Sequence, residues 1–344
     1  MNKYSEKIKN AVFNQIVFDN FDPNVNYPEL HIAFGVNKKF VAPMGVLLTS
    51  LLDQNKEIKV SIHIFLDEIE KKDIERLEQF SKTYHSRIIL YFIQNEVFFD
   101  LNKAQFTIAA YYRFLIPKAI EDKADKFLYL DADMICIHKL DEMTDLNFDD
   151  KIVCVVEDHK VTKEDSPHLN LKGNLYFNSG MLYIDVKKWN DMKISEKCLE
   201  LLEQRSFEFA CFDQDALNII LEDQVKYISP KWNYLCNTGN KEFKNIVQVP
   251  EDTVIIHYIG FNKPWHRWCY HPLAEYFKDV LQKSLWSEIS WLEAPKKYRE
   301  MKMMASACYN EGRYLKAMYW GIQAGLKKLG DNLETVLQDK KTRE

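Results

Sequence analysis

The chain has 344 residues, of which 47% are hydrophobic and 28% charged. That composition suits a globular protein with one large α/β domain or two smaller ones. The formal net charge of -5 gives no global case for nucleic acid binding. Seven cysteines, at 136, 154, 198, 211, 236, 269 and 308, include no C-x-x-C pair, so neither a zinc site nor a disulfide framework is suggested. The start Met1–Asn10 is too polar for a signal peptide, and a reducing cytoplasm is expected. No run of about 18 apolar residues predicts a transmembrane helix.

Residues 1–29 are polar and irregular and read as an N-terminal extension that packs on the domain. Residues 30–34 predict a first strand that ends at Gly35, where a glycine allows a sharp turn or the close approach of a ligand. A helix follows from about Pro43 to Gln54, then a strand over 60–67, a charged helix over 71–83 and a strand over 87–93. Alternating strands and helices imply a mostly parallel sheet with helices on both faces, which binds ligands at the carboxyl ends of its strands. Residues 109–117 predict a short amphipathic helix whose one charged side chain is Arg113, read either as an exposed helix arginine or as a cation for a diphosphate or sugar.

The run Phe127–Leu130 predicts a buried strand that stops on Asp131, Ala132 and Asp133. On an extended chain residues i and i+2 share a side, so the two carboxylates aim at one point. Such a pair needs a cation between its members or is a solvated strand end. Another strand, 151–156, ends at Glu157, Asp158 and His159, and the polar run 160–174 reads as a loop over the site. Asn178-Ser179-Gly180 reads as a turn feeding a strand to Asp185. Helices are expected over 195–205 and from Phe212, with Asp213 as the N-cap of the second. A last strand, 253–257, ends in His257, ahead of a loop with Gly260 and Lys263. Beyond about His271 the chain is helical and basic, with eleven Lys/Arg against six Asp/Glu in residues 296–344. This region reads either as a helical cap or as a contact for an anionic membrane surface. The expected division is 1–29, 30–270 and 271–344.

The strand-end residues together offer two acids and a histidine for a divalent ion, two cations for a diphosphate, and polar groups for a sugar. That inventory suits a nucleotide diphosphate sugar. Four motifs, Leu-Tyr-Leu-Asp131-Ala-Asp133, Phe-Asn178-Ser-Gly180, Asp213-Gln214-Asp215 and His257-Tyr-Ile-Gly260-Phe-Asn-Lys263-Pro-Trp265, stand in the order seen in family 8 retaining glycosyltransferases. Within that family the chain resembles the lipopolysaccharide core glucosyl- and galactosyltransferases of enteric bacteria. The segments Ile32–Phe40 and Ile108–Phe114 and the C-terminal Pro295…Ala317 region support that subgroup.

The resemblance implies a Rossmann-like, GT-A type sheet with a C-terminal helical extension. It implies transfer of glucose or galactose from UDP-glucose or UDP-galactose to the lipopolysaccharide core, on the cytoplasmic face of the inner membrane. Asp131, Asp133 and His257 would hold Mn2+ or Mg2+, with Asp131 and Ala132 also at the donor. Gly35 and Asn37 would contact the uracil and Arg113 the donor sugar. Asn178, Ser179, Asp213 and Gln214 would surround the transferred sugar, Gly260 and Lys263 would bind the diphosphate, and Asp158 would position sugar or acceptor. Relatives commonly carry an acid at the position of Asn37, whose amide still bonds uracil, and Ala or Ser at that of Ser179. Same-face attack is favoured over a double displacement, because the amide of Gln214 is a poor nucleophile and leaves Asp213 and Asp158 as the carboxylate candidates. The competing readings are a metal-dependent D-x-D phosphohydrolase and a non-catalytic carbohydrate- or membrane-binding module.

Overall fold

The structure is a computed structural model. It describes residues 3–101, 108–159, 161, 169, 171–173, 175–205, 208–239, 248–288 and 295–341, with side chains to residue 331. Most of the expected loop 160–174 lies outside the described residues. The chain forms two compact units. One takes in Met1–Leu235, Pro250–His257 and Ser284–Trp286; the other takes in Cys236–Val249, Tyr258–Lys283 and Ser287–Glu344.

The first unit begins with helix α1 (Lys3–Lys9) and strand β1 (Val12–Asp19), where the sequence reads as irregular. Tyr4 and Ile8 of α1 are buried, and β1 forms one edge of the main sheet. Strands β2 (Glu29–Gly35), β3 (Lys59–Leu66) and β4 (Arg87–Ile93) alternate with helices α2 (Val41–Gln54) and α3 (Lys71–Thr83). Two 3-10 turns, Asn95–Phe98 and Ile108–Phe114, precede the single helical turn α4 (Ile116–Ala119). The amphipathic helix expected at 109–117 is thus a tight 3-10 turn, and Arg113 is buried in it.

Strand β5 (Lys126–Leu130) stops before Asp131, and β6 (Met134–Cys136) resumes in a second sheet. After helix α5 (Asp141–Thr144) come β7 (Val153–Glu157) and β8 (Phe177–Asp185), so Asn178, Ser179 and Gly180 lie within a strand and not in a turn. Helices α6 (Val186–Asp191), α7 (Ile194–Arg205) and α8 (Phe212–Ile220) lead to β9 (Val225–Tyr227), β10 (Tyr234–Leu235) and β11 (Ile255–His257).

Among the described residues the main sheet has the order β1-β4-β3-β2-β5-β8-β7-β9. Its ladders are mixed: β4–β3, β3–β2, β2–β5 and β7–β9 are parallel, while β1–β4, β5–β8 and β7–β8 are antiparallel. This topology brings the functional chain ends together. Because β8 runs against β5 and β7, its N-terminal end, with Asn178, meets the C-terminal ends that lead to Asp131 and Asp158. The second sheet, β10-β11-β6, places His257 beside Met134.

Helix α2 is apolar around most of its girth and buried along Val41–Leu52, as a core helix should be. Its C-terminal end fixes the chain just after the acidic pair. The Ser50 hydroxyl accepts from the Cys136 N–H (3.0 Å), and Asn55 Oδ1 accepts from the Leu140 N–H (2.6 Å). Trp286 locks α2 from the other side. It is fully buried, its ring lies on Gly45 where any Cβ would collide, and its indole N–H donates to Asp73 Oδ1 (3.0 Å).

The second unit contains helices α9 (Ala274–Lys283), α10 (Tyr298–Asn310) and α11 (Tyr314–Lys341). Phe277 packs against Tyr258 and Trp265, and the Tyr258 hydroxyl donates to the Leu273 carbonyl (2.7 Å). Trp268, Met304 and Cys308 form a small core with Ala317 and Trp320. Among the described residues no helix is long and apolar enough to cross a membrane.

Trp286→Ala removes a filled aromatic site and leaves the Asp73 carboxylate without its indole donor. It should lower unfolding free energy by about 3–5 kcal/mol in chemical denaturation. A loss below about 1 kcal/mol would contradict this packing.

Candidate active site

Asp131 stands at the end of β5, and its two oxygens have separate tasks. Oδ1 accepts from the Tyr129 hydroxyl (2.8 Å) and from Arg113 Nη2 (3.0 Å). Oδ2 turns toward His257, 4.0 Å from Nε2. Asp133 Oδ1 lies 3.2 Å from the same Nε2. One ligand atom from each of Asp131, Asp133 and His257 falls within 4.8 Å of the others. Gly180 packs against this cluster: a Cβ there would lie 2.8 Å from Asp131 Oδ2 and run into the His257 ring.

The donor set fits a divalent cation. Two carboxylate oxygens and an imidazole nitrogen are three potential ligand atoms brought close together, and the repulsion between the carboxylates is relieved by positive charge between them. Oxygen and imidazole ligands of this kind suit a hard or borderline metal ion.

Arg113 is buried and links the cluster to α8. Its Nε donates to the Ala110 carbonyl (2.9 Å), its Nη1 to the Ser179 carbonyl (2.8 Å), and its Nη2 to the Tyr129 hydroxyl (3.1 Å) as well as to Asp131. Nη1 also lies 3.2 Å from Asp213 Oδ2. The guanidinium sits 4.5 Å from the centre of the Tyr129 ring, a cation–π contact. Burial opposes the charge on Arg113, but Asp213, Tyr129 and Asp131 outweigh it and raise its pKa. This web explains why the arginine is inside rather than on an exposed helix face.

Asp213 is not the N-cap of α8; Cys211 holds that position. Asp213 lies in the first turn with its carboxylate on Arg113. Burial pushes its pKa up to about 6, against the pull of the Arg113 charge. Phe212, just before it, has a φ of 33°, a left-handed conformation that bulky side chains avoid.

Gln214 is held at both ends. Oε1 accepts from the Ser179 N–H (2.9 Å), the Ser179 hydroxyl (3.3 Å) and Asn178 Nδ2 (3.2 Å). Nε2 donates to the Tyr176 hydroxyl (3.1 Å), which donates in turn to Asp215 Oδ1 (2.5 Å). Burial and the Asp215 charge push the Tyr176 phenol well above its ordinary pKa, so it keeps its proton.

Gly35 abuts the turn that carries Arg113: a Cβ there would lie 2.9 Å from the Ala109 carbonyl. Ala132 is buried between the two acids. Asn37 uses its Oδ1 on its own loop, accepting from the Lys39 N–H (2.9 Å). Asp158 is buried at the end of β7, where its N–H donates to the Tyr176 carbonyl (2.8 Å). In the second unit, Gly260 has a φ of 81°, which favours glycine, and Lys263 Nζ donates to the Tyr258 carbonyl (2.7 Å).

Four residues of this site are absent from the sequence reading as functional groups: Tyr129, Tyr176, Asp215 and Asn233, whose Oδ1 lies 3.0 Å from His257 Nδ1. Tyr129 carried a usable signal, since it lies two residues before Asp131 on the same strand face. Asn233 carried none, standing alone before a two-residue strand.

Residues 31–269 match the family described as Glycosyl transferase family 8. The chain is 32% identical over 338 residues to a lipopolysaccharide 1,3-galactosyltransferase of Salmonella typhimurium, covering 95% of this chain and 98% of that protein. It is 30% identical over 310 residues to a lipopolysaccharide 1,2-glucosyltransferase of Escherichia coli, covering 87% of this chain and 91% of that one. Among solved structures, the galactosyltransferase LgtC in complex with donor and acceptor sugar analogues superposes with a TM-score of 0.65 at 22% identity, over 79% of this chain and 99% of that chain. That likeness shows the GT-A type α/β fold. By the extent of the family match and by these relatives, the chain belongs to glycosyltransferase family 8.

Proposed function

We propose that the protein transfers glucose or galactose from UDP-glucose or UDP-galactose to a hydroxyl of the lipopolysaccharide outer core. It does so with retention of anomeric configuration and with Mn2+ or Mg2+ bound by Asp131, Asp133 and His257. The observation that carries this reading is the convergence of those three ligand atoms within 4.8 Å. The substrate class is supported by relatives named for lipopolysaccharide galactosyl and glucosyl transfer.

When bound, the ion supplies positive charge where negative charge develops on the departing diphosphate. Gly35 and Asn37 take the uracil, and Asp131 and Ala132 flank the donor. Asn178, Ser179, Asp213 and Gln214 surround the sugar, Gly260 and Lys263 take the diphosphate, and Asp158 positions sugar or acceptor. Arg113, beside the two acids it holds, Asp131 and Asp213, contacts the donor sugar. Attack comes from the face the leaving group departs, and the acceptor hydroxyl passes its proton to the departing phosphate oxygen. Gln214, fixed beside Asn178 and Ser179, stabilises the positive charge that develops at the anomeric carbon. The Arg113 ion pair counts against Asp213 as the nucleophile of a double displacement, because it draws electron density from that carboxylate. A glycosyl adduct trapped on Asp213 or Asp158 would overturn it.

The protein works at the cytoplasmic face of the inner membrane in this reading. Leu315, Met318, Tyr319, Ile322, Leu326 and Leu329 of α11 are 54–80% exposed. They recur at helical spacing, with Lys316, Lys327 and Lys328 on the same helix. An apolar stripe flanked by lysines suits an anionic lipid surface.

Truncated lipopolysaccharide incubated with each UDP-hexose should accept sugar only with Mn2+ or Mg2+ present. Asp131→Ala or Asp133→Ala should cut transfer roughly a thousandfold, the loss of several kcal/mol of charge stabilisation. Substantial metal-independent transfer by either variant would contradict the assignment. Ile322→Glu with Leu326→Glu should release the protein from phosphatidylglycerol vesicles in co-sedimentation; unchanged recovery would contradict the membrane reading.

Asp213 also sets a pH dependence. A carboxyl with a raised pKa stabilises the fold most when protonated. Its contribution is present in full below about pH 4, and is lost as pH rises through about 6. Between those limits the wild-type chain should lose about 3 kcal/mol relative to Asp213→Asn. Urea unfolding at both pH values checks this, and parallel curves would contradict it.

A further inference from the structure

Two backbone N–H groups beside the cluster, those of Ser179 and Gly180, fix the orientation of the Gln214 and Asn178 amides. A backbone N–H only donates. The Gly180 N–H lies 3.0 Å from one terminal atom of Asn178, which is therefore Oδ1. By the same logic the Ser179 N–H, at 2.9 Å, fixes Gln214 Oε1. Asn178 Nδ2 then donates to Gln214 Oε1, and Gln214 Nε2 donates to Tyr176, whose hydroxyl donates to Asp215. The far end is closed by the Cys211 N–H, which donates to Asp215 Oδ2 (2.7 Å).

The near end of this chain is Asn233, which is 1% exposed. Since Asn178 presents Oδ1, the atom of Asn233 facing it at 3.0 Å is Nδ2. Asn233 Oδ1 is thereby turned to His257 Nδ1, also at 3.0 Å. An oxygen there needs a donor, so Nδ1 carries a proton. The links run His257 → Asn233 → Asn178 → Gln214 → Tyr176 → Asp215, and all donate in one direction toward a buried carboxylate. Chains of aligned donors polarise one another.

We propose that Asn233 is the positioning residue that sets the His257 tautomer, as the first acceptor in this one-way chain, so that Nε2 presents its lone pair to the point where Asp131 and Asp133 converge. The proposal rests on the reading of that point as a cation site. Without Asn233, Nε2 would keep its proton against Asp133, and a cation would have to displace it. An outer partner of a metal-ligating histidine is generally worth 10–100-fold in metal affinity, and acts by fixing the ring's tautomer and basicity.

The test is two-dimensional nitrogen–proton NMR of the imidazole rings of the full metal-free chain at about pH 9, where a free imidazole is neutral. Loss of a signal in His257→Ala assigns His257. Wild type should show a proton-bearing Nδ1 and a proton-free Nε2; the opposite tautomer in wild type overturns the proposal whatever any variant does. Asn233→Leu should switch the tautomer and weaken MnCl2 binding about 10–100-fold, read from the free-ion electron paramagnetic resonance signal. Asn233→Asp keeps an acceptor for Nδ1 and should retain the wild-type tautomer and bind MnCl2 within about threefold of wild type. A folded Asn233→Leu chain with wild-type tautomer and affinity overturns the proposal. If the tautomers behave as stated and no chain binds MnCl2, the relay stands and the metal reading falls. If Asp131→Ala and His257→Ala lose MnCl2 and folded Asn233→Leu does not, the metal reading stands and the relay falls.

Discussion

Two carboxylates and an imidazole held with their ligand atoms within 4.8 Å of one another are a destabilising arrangement, and much of the surrounding structure serves to maintain it. Two carboxylates and an imidazole lone pair repel unless a cation lies among them. The protein meets part of this demand itself by placing the Arg113 guanidinium on one oxygen of Asp131 and leaving the other directed at His257. The same guanidinium holds Asp213, so a single buried charge sets the separation of the acid on β5 and the acid on α8. Gly180 completes the arrangement sterically, because any side chain there would occupy the space of Asp131 and His257.

The topology makes this convergence possible. In an all-parallel sheet only strand C-termini would meet at the site. Here β8 runs the other way, and its N-terminal end brings Asn178, Ser179 and Gly180 alongside Asp131. The break after Leu130 then lets the chain cross into a second sheet, where β6 pairs with β11 and carries Asp133 toward His257. The stop in the strand at Asp131 is thus the join between two sheets as well as the place where the acids project.

The main strands and helices were legible because their signals are local. Apolar runs ending in Asp131, Asp158 and His257 gave the strands, and helical spacing gave α2 and α3. The acidic pair with His257 was legible as chemistry, since those residue types at strand ends have few other uses together. The burial of Arg113 was not, because its partners Asp131, Ser179 and Asp213 come from distant parts of the chain. Asp213 looked like a helix cap for the same reason: local propensity favours it there, and a buried guanidinium across the fold overrides that preference. The strand carrying Asn178–Gly180 read as a turn because its asparagine, serine and glycine are turn formers. Their placement is decided by pairing with β5 and by the need for a glycine beside His257. The order in residues 3–19 was not legible either, since a short helix and an edge strand with one partly covered face carry little apolar signal.

Function turns on one point in space, between Asp131, Asp133 and His257. Anomalous X-ray scattering from crystals of the protein grown with MnCl2 and UDP tests it most directly. A strong manganese peak is expected within coordination distance of a carboxylate oxygen of Asp131, a carboxylate oxygen of Asp133 and Nε2 of His257. UDP bound to the protein with no manganese at that point, or manganese held by other residues, would contradict it.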